Sequence, residues 1–138
     1  MIRDAAAAIA GLMVTFGLIS GIELLGHTLY PPPEGLDKKD LEVMQTYVAS
    51  LPAAALLIPM FAYFIGTIAG TLVASLLGTA RPVIYAFIVG LLVLAGTIAN
   101  LIMIPHPLWF SVIAVLGIIG SAWLAMTIAA GKRPAPVD

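Results

Sequence analysis

Four long apolar segments constrain this chain more than any other feature of its sequence. They cover residues 5–30, 51–79, 82–104 and 107–130. A helix that crosses a membrane needs about 20 mostly apolar residues, and each segment reaches that length. Because hydrocarbon offers no hydrogen bonds to the backbone, such segments cross it as helices. The sequence predicts an all-α membrane protein, a four-transmembrane-helix bundle forming a single transmembrane domain over residues 1–138.

The composition agrees with a membrane location and excludes several functional classes. Hydrophobic residues make up 62% of the chain and charged residues 9%, whereas soluble domains are about 25% charged. The net charge of −1 provides no basic surface, so we expect no nucleic-acid partner. The absence of cysteine excludes disulfides and thiolate metal sites. No nucleotide-binding or hydrolase motif is present, which favours a non-enzymatic protein over an enzyme without excluding one, and the sequence identifies no cofactor.

Prolines separate the first two spans and the last two. Residues 31–33 are all proline and begin the one substantial loop, residues 31–50. In its second half, Leu41, Met44 and Val48 fall on one helical face, and Asp37 could cap that helix. The pattern predicts a short interfacial helix between the first two spans. Alternatively, this segment extends the second span outward.

Basic residues in the short loops predict the orientation in the membrane. One end of the bundle carries four of them and the other end carries two, diluted by acidic residues. The four are Arg3, Arg81, Lys132 and Arg133, and the two are Lys38 and Lys39. Because short cytoplasmic loops are enriched in Lys and Arg, both termini are expected in the cytoplasm. The proline-rich loop and His106 would then face outside.

Glu23 is the first candidate functional residue, because an ionisable side chain in hydrocarbon costs about 2.5–3.5 kcal/mol by insertion scales. His27 lies four residues later on the same helical face, nearer the outer surface. One interpretation is a protonatable or metal-binding pair. The other is an intrahelical contact that only helps the bundle to pack.

Asn100 and His106 extend this polar intramembrane cluster. Asn100 lies five residues before Pro105, at a depth similar to that of Glu23, so an interhelical hydrogen bond between the two is plausible. Its alternative role is purely structural. Glu23, His27 and His106 would together form a Glu/His/His set suited to Zn²⁺ or another divalent metal. His106 could equally point to water.

Small residues repeat every four positions in two spans. In the second span they are Gly66, Gly70, Ala74 and Gly78, and in the first span Gly17 and Gly21. This spacing lets helix backbones approach closely. The glycines therefore predict helix packing, either inside one bundle or between one stripe and a second protein chain.

Aromatic residues are expected to form belts at the two membrane surfaces. The outer belt would contain Tyr30, Tyr47, Trp109 and Phe110, and the inner one Tyr85. Tyr63 and Trp123 lie deeper, where their polar atoms need a partner.

Two stretches carry a resemblance to known proteins. Residues 23–33 (ELLGHTLYPPP) and 100–109 (NLIMIPHPLW) resemble a family of small bacterial four-helix membrane proteins with no assigned activity. The resemblance implies a four-span fold, bacterial origin and location in the bacterial cytoplasmic (inner) membrane, but no reaction. Size, span count and a Glu in the first span are also similar to small multidrug resistance transporters. Those place the Glu nearer mid-membrane and lack this proline-rich loop and His106.

Three functional hypotheses remain open from the sequence. The first is a small integral membrane protein acting through helix packing as a homo-oligomer or accessory subunit, with the lipid bilayer and a larger membrane complex as partners. The second is a small proton-coupled transporter that uses Glu23. The third is a divalent-metal site formed by Glu23, His27 and His106. If Glu23 lines a water-accessible cavity, the transporter is favoured; if Asn100 seals it, the structural role is favoured.

Overall fold

The computed structural model describes residues 1–132, and these form five helices without strands. They are α1 (Ile2–Leu29), α2 (Leu41–Ser50), α3 (Ala53–Leu77), α4 (Pro82–Met103) and α5 (Leu108–Gly131). Four of these helices, all but α2, are long and apolar enough to cross a membrane. The chain is thus an all-α four-span bundle and fits a small multi-pass membrane protein. Arg133, used above for orientation, lies outside the described residues.

The prolines delimit the helices as local sterics require. Pro82 occupies the first turn of α4, where a missing amide proton does no harm. Pro59 lies inside α3, so the carbonyl one turn earlier loses its usual amide partner. α3 and α4 are connected by the short segment 78–81, and α4 and α5 by 104–107. Such short connections place consecutive spans side by side and antiparallel.

The bundle is arranged around α3, the most buried of the spans. Its most extensive interface is with α1, and it also packs on α5 and α4. α4 packs on α5, whereas α1 and α4 touch only sparingly. A gap therefore remains between α1 and α4 above the surface of α3, and the polar residues discussed below line it.

Small residues explain the close approach of α1 and α3. A Cβ atom on Gly70 would lie 2.5 Å from the Gly11 carbonyl oxygen and would collide with the Thr15 hydroxyl. One on Gly66 would lie 2.8 Å from a side-chain carbon of Ile19. The Ala74 Cβ lies against Gly11 in the same way. Gly78 differs, because the ring of Tyr85 in α4 occupies the space beside it.

Gly17 and Gly21 of the first span do not pack against other helices of the bundle, which is one of the two alternatives given above. Both are exposed, and a Cβ at either position would meet no atom within 4 Å in the described chain. The small residues of α1 that contact α3 are Ala7, Gly11 and Gly26, which lie on a different face. Four-residue spacing identifies a narrow face, but it does not identify which face is used.

The short helix α2 covers the bundle at the end where the long loop lies. Its buried residues are Met44 and Val48, and Val48 belongs to the main apolar core together with Phe110 of α5. The residue that caps the N-terminus of α2 is Asp40, whereas the sequence had suggested Asp37. The Asp40 carboxylate accepts hydrogen bonds from the backbone amides of Glu42 (2.9 Å) and Val43 (3.2 Å). Asp37 instead accepts one from the Lys39 amide in the preceding turn. The end formed by residues 30–52 and 104–107 is called the loop end below.

Candidate functional site

The polar cluster lies where α1, α3 and α4 meet near the loop end. Glu23 projects from α1, Tyr63 from α3 and Asn100 from α4. The Asn100 amide donates a long hydrogen bond of 3.5 Å to the Tyr63 hydroxyl. The same hydroxyl interacts with the Glu23 side chain. Tyr63 therefore joins the acid of one helix to the amide of another, and these three residues form the centre of the site.

Two cavities share the three central residues as part of their walls. The first, of about 190 Å³, lies at the loop end and is also lined by His27 and His106. The second, of about 330 Å³, lies in the gap between α1 and α4. Its other lining residues come from one face of each helix: Phe16, Ile19 and Ser20 of α1, and Val93, Gly96 and Thr97 of α4. Glu23 is half-buried and faces both spaces.

The walls of the two cavities differ in chemistry. The loop-end cavity contains two imidazoles, the carboxyl group and the tyrosine hydroxyl, as well as apolar residues of α2 and α3. The gap between α1 and α4 has a largely apolar wall with hydroxyls from Ser20 and Thr97. A molecule in contact with Glu23 would thus meet polar groups toward the loop end and hydrocarbon-like surface toward the bilayer interior.

The two histidines of the loop-end cavity are held differently. His27 is exposed, one helical turn beyond Glu23. His106 is half-buried, stacks on Phe110 with ring centroids 4.8 Å apart, and its Nδ1 lies 2.6 Å from the Ile104 carbonyl oxygen. Burial lowers the pKa of His106, so the ring favours its neutral form. Because a carbonyl can only accept, Nδ1 carries the proton and Nε2 is the acceptor.

These positions do not make a preformed metal site. Glu23, His27 and His106 line one cavity, but no group of three or more His, Asp or Glu side chains within residues 1–132 is arranged to hold a metal ion. One nitrogen of His106 is already used by the Ile104 carbonyl. The Glu/His/His interpretation therefore gains no support from the geometry.

A second polar site, not anticipated from the sequence, lies at the opposite end of the bundle. The Asp4 carboxylate accepts hydrogen bonds from the Thr79 amide (2.7 Å), the Thr79 hydroxyl (2.8 Å), the Ala80 amide (2.9 Å) and the Tyr85 hydroxyl (2.6 Å). Beside it, Arg3 Nε donates to the Leu77 carbonyl at 2.9 Å. Asp4 thus binds the turn between α3 and α4 to the start of α1.

The aromatic residues divide between belt and core in a way the sequence did not predict. Tyr85 is 1% exposed and Phe110 is fully buried, so neither belongs to a surface belt. Trp109 and Trp123 are both exposed on α5. The one signal pointing to Tyr63 was its depth, since a hydroxyl far from the membrane surface needs a hydrogen-bond partner. No comparable signal singled out Asp4.

Comparison with known proteins adds no assignment to this geometry. No family model matches the chain, and neither a curated protein nor a solved structure does. What the protein does must therefore be argued from the site itself.

Proposed function

We propose that this protein is a small carrier of the bacterial cytoplasmic membrane that exchanges a proton on Glu23 for a monovalent organic cation. The observation that carries the proposal is the position of Glu23 in the wall shared by the loop-end cavity and the gap between α1 and α4. One carboxyl group that both spaces reach can hold either a proton or a cation, but not both.

A purely structural role for Glu23 accounts less well for its surroundings. A carboxyl group kept only for packing should be enclosed by partners, because an unpaired polar group in hydrocarbon costs several kcal/mol. Here Tyr63 contacts the Glu23 side chain and Asn100 contacts Tyr63, while two cavities remain open beside the carboxyl group. Ionisable residues inside membranes usually face a cavity of this kind and line a substrate or proton pathway.

The composition of the walls indicates the class of substrate. A carboxylate attracts positive charge, and the rings of Tyr63 and Phe16 can interact with a cation through their faces. The remaining wall toward the bilayer interior is mostly aliphatic. The substrate that fits is a cation with an apolar body, small enough for cavities of about 190 and 330 Å³.

The proposal is tested by uptake of radiolabelled tetraethylammonium into proteoliposomes whose lumen is more acidic than the bath. The wild-type protein should drive accumulation as luminal protons leave, and Glu23→Gln should abolish it because an amide cannot exchange a proton. Glu34→Gln, in the exposed loop, is the matched control and should transport normally. Equal uptake by Glu23→Gln and wild type would exclude the mechanism.

Association through α1 is a second candidate function, supported by a separate observation. Gly17 and Gly21 are exposed on one helix and leave space for a close neighbour. A second copy could pack there and enlarge the small volume that four spans enclose. Gly17→Leu with Gly21→Leu should then dissociate the oligomer in detergent, whereas Gly120→Leu, at an equally open position on α5, should not. A monomeric wild-type protein in light scattering would rule this out.

A further inference from the structure

Hydroxyl-bearing residues recur every four positions along α3 and into the turn that follows it. They are Tyr63, Thr67, Thr71, Ser75 and Thr79. Residues four apart are neighbours on a helix surface, so the first four form a continuous row on one side of α3. We call this row, with Thr79, the hydroxyl column. Its first member contacts Glu23, and its last member is bonded to Asp4.

The column runs through the interior of the bundle. Thr67 and Thr71 are fully buried, Ser75 is 3% exposed and Tyr63 is 8% exposed. From Tyr63 to Ser75 the helix rises about 18 Å at 1.5 Å per residue. That distance is more than half of a hydrocarbon core of roughly 30 Å. The column thus joins a carboxyl group near the loop end to another at the opposite end.

Thr71 distinguishes the column from ordinary helix packing. A buried threonine in a helix usually donates to the carbonyl four residues earlier, as Thr67 does to Tyr63 at 2.7 Å. The Thr71 hydroxyl has no hydrogen-bond partner within residues 1–132, although it is completely buried. Leaving such a group unsatisfied costs about 1–3 kcal/mol, so a water molecule is its expected partner.

The spacing of the column calls for water between its members. Neighbouring members are separated by about 6 Å of helix rise. One O–H···O hydrogen bond of about 2.7–2.8 Å is shorter than this rise, so water between neighbouring hydroxyls is needed to pass a proton along the column. Each hydroxyl and each water can accept a proton on a lone pair and release its own, so a proton can pass without any group retaining a charge.

We infer that the hydroxyl column, completed by bridging waters, is the route by which protons travel between Glu23 and the end of the bundle where Asp4 lies. The O–H bond of protonated Glu23 breaks, its proton adds to the neighbouring oxygen, and that oxygen releases its own proton onward. The last transfer passes the proton from the exposed Thr79 hydroxyl to bulk water, because the hydrogen bonds that Asp4 accepts keep its carboxylate ionised. This inference rests on the proposed function, for which it supplies the proton's exit.

The inference is tested by proton efflux from acid-loaded proteoliposomes, followed with a luminal pH dye after tetraethylammonium is added outside. Wild-type protein should conduct above protein-free vesicles. Thr71→Val, which keeps the shape but loses the hydroxyl, should reduce the flux at least tenfold. Thr71→Ser, which keeps the hydroxyl, should retain most of it. Thr15→Val, a fully buried threonine on α1, is the control and should conduct normally.

Each other outcome decides against the column. The inference is overturned if the wild-type protein shows no flux, or if Thr71→Val conducts as well as the wild type. It is also overturned if Thr71→Ser or Thr15→Val loses as much flux as Thr71→Val. If Thr71→Val does not fold, Ser75→Ala replaces it with the same expectation. Cation uptake that still depends on Glu23 while Thr71→Val conducts normally would leave the proposed function standing without this route.

Discussion

Asp4 is the residue with the most concentrated set of hydrogen bonds in the described chain. Four donor groups from residues 79–85 converge on its carboxylate, and two of them are backbone amides. Hydrogen bonds to a carboxylate are roughly twice as strong as neutral ones. Since α1 and α4 touch only sparingly elsewhere, this carboxylate is a principal connection between the first span and the third.

We predict that Asp4→Asn lowers thermal stability in detergent more than Tyr85→Phe does. Asparagine lacks the negative charge that strengthens all of these hydrogen bonds, and its nitrogen replaces the oxygen Oδ2 that the Thr79 hydroxyl also contacts. Tyr85→Phe removes only one hydroxyl and should cost about 1 kcal/mol. Asp37→Asn, in an exposed turn, is the control. Melting curves that coincide for Asp4→Asn and Asp37→Asn would contradict this role.

Tyr63 shows why the composition of the central site was only partly predictable. Counting helix rise from the prolines placed Glu23 and Asn100 at similar depths, and the structure brings both to the same two cavities. The residue that joins them belongs to a third helix, whose rotation depends on packing. Sequence spacing gives depth along a helix but does not give its rotation toward its neighbours.

At the scale of elements, the contact between α1 and α3 depends on a few small side chains. Gly70 is the tightest point, because the Gly11 carbonyl oxygen lies where a Cβ would be placed. The backbone cannot move aside as the end of a flexible side chain could. The whole interface would have to separate to admit one methyl group.

Gly70→Ala and Gly120→Ala should therefore change stability in opposite directions. Overpacking at Gly70 should destabilise the fold by about 1–3 kcal/mol. At Gly120 a Cβ meets open space, so the better helix propensity of alanine should stabilise by up to about 1 kcal/mol. Denaturant titration in detergent measures both. Equal changes in the two variants would show that α1 and α3 do not pack in this register.

The helices themselves followed from the sequence more fully than their packing did. Hydropathy and prolines placed the four spans with ends that differ from the observed ones by up to three residues; α1, for example, begins at Ile2 rather than residue 5. The cap of α2 was misplaced by three residues because Asp37 and Asp40 are equally good capping residues locally. Which aspartate caps depends on where Met44 and Val48 find their contacts in the bundle.

At the scale of the whole molecule, the orientation in the membrane decides which end each carboxyl group faces. The charge bias predicts that Asp4 and the 78–81 turn lie at the cytoplasmic face and the loop end lies outside. A reporter fused at the C-terminus should give a cytoplasmic signal, and one inserted at residue 36 an external signal. The reverse pattern would invert the direction assigned to proton movement, although the geometry of the two sites would be unchanged.

The account as a whole depends on Glu23 holding a proton and a cation in turn. Titration calorimetry of the purified protein with tetraethylammonium, in buffers of different ionisation enthalpy, counts the protons released for each cation bound. The account predicts that release rises toward one proton per cation as the pH falls through the titration of Glu23, and that Glu23→Gln neither releases protons nor binds with comparable affinity. Cation binding without proton release, or unchanged binding in Glu23→Gln, would contradict it.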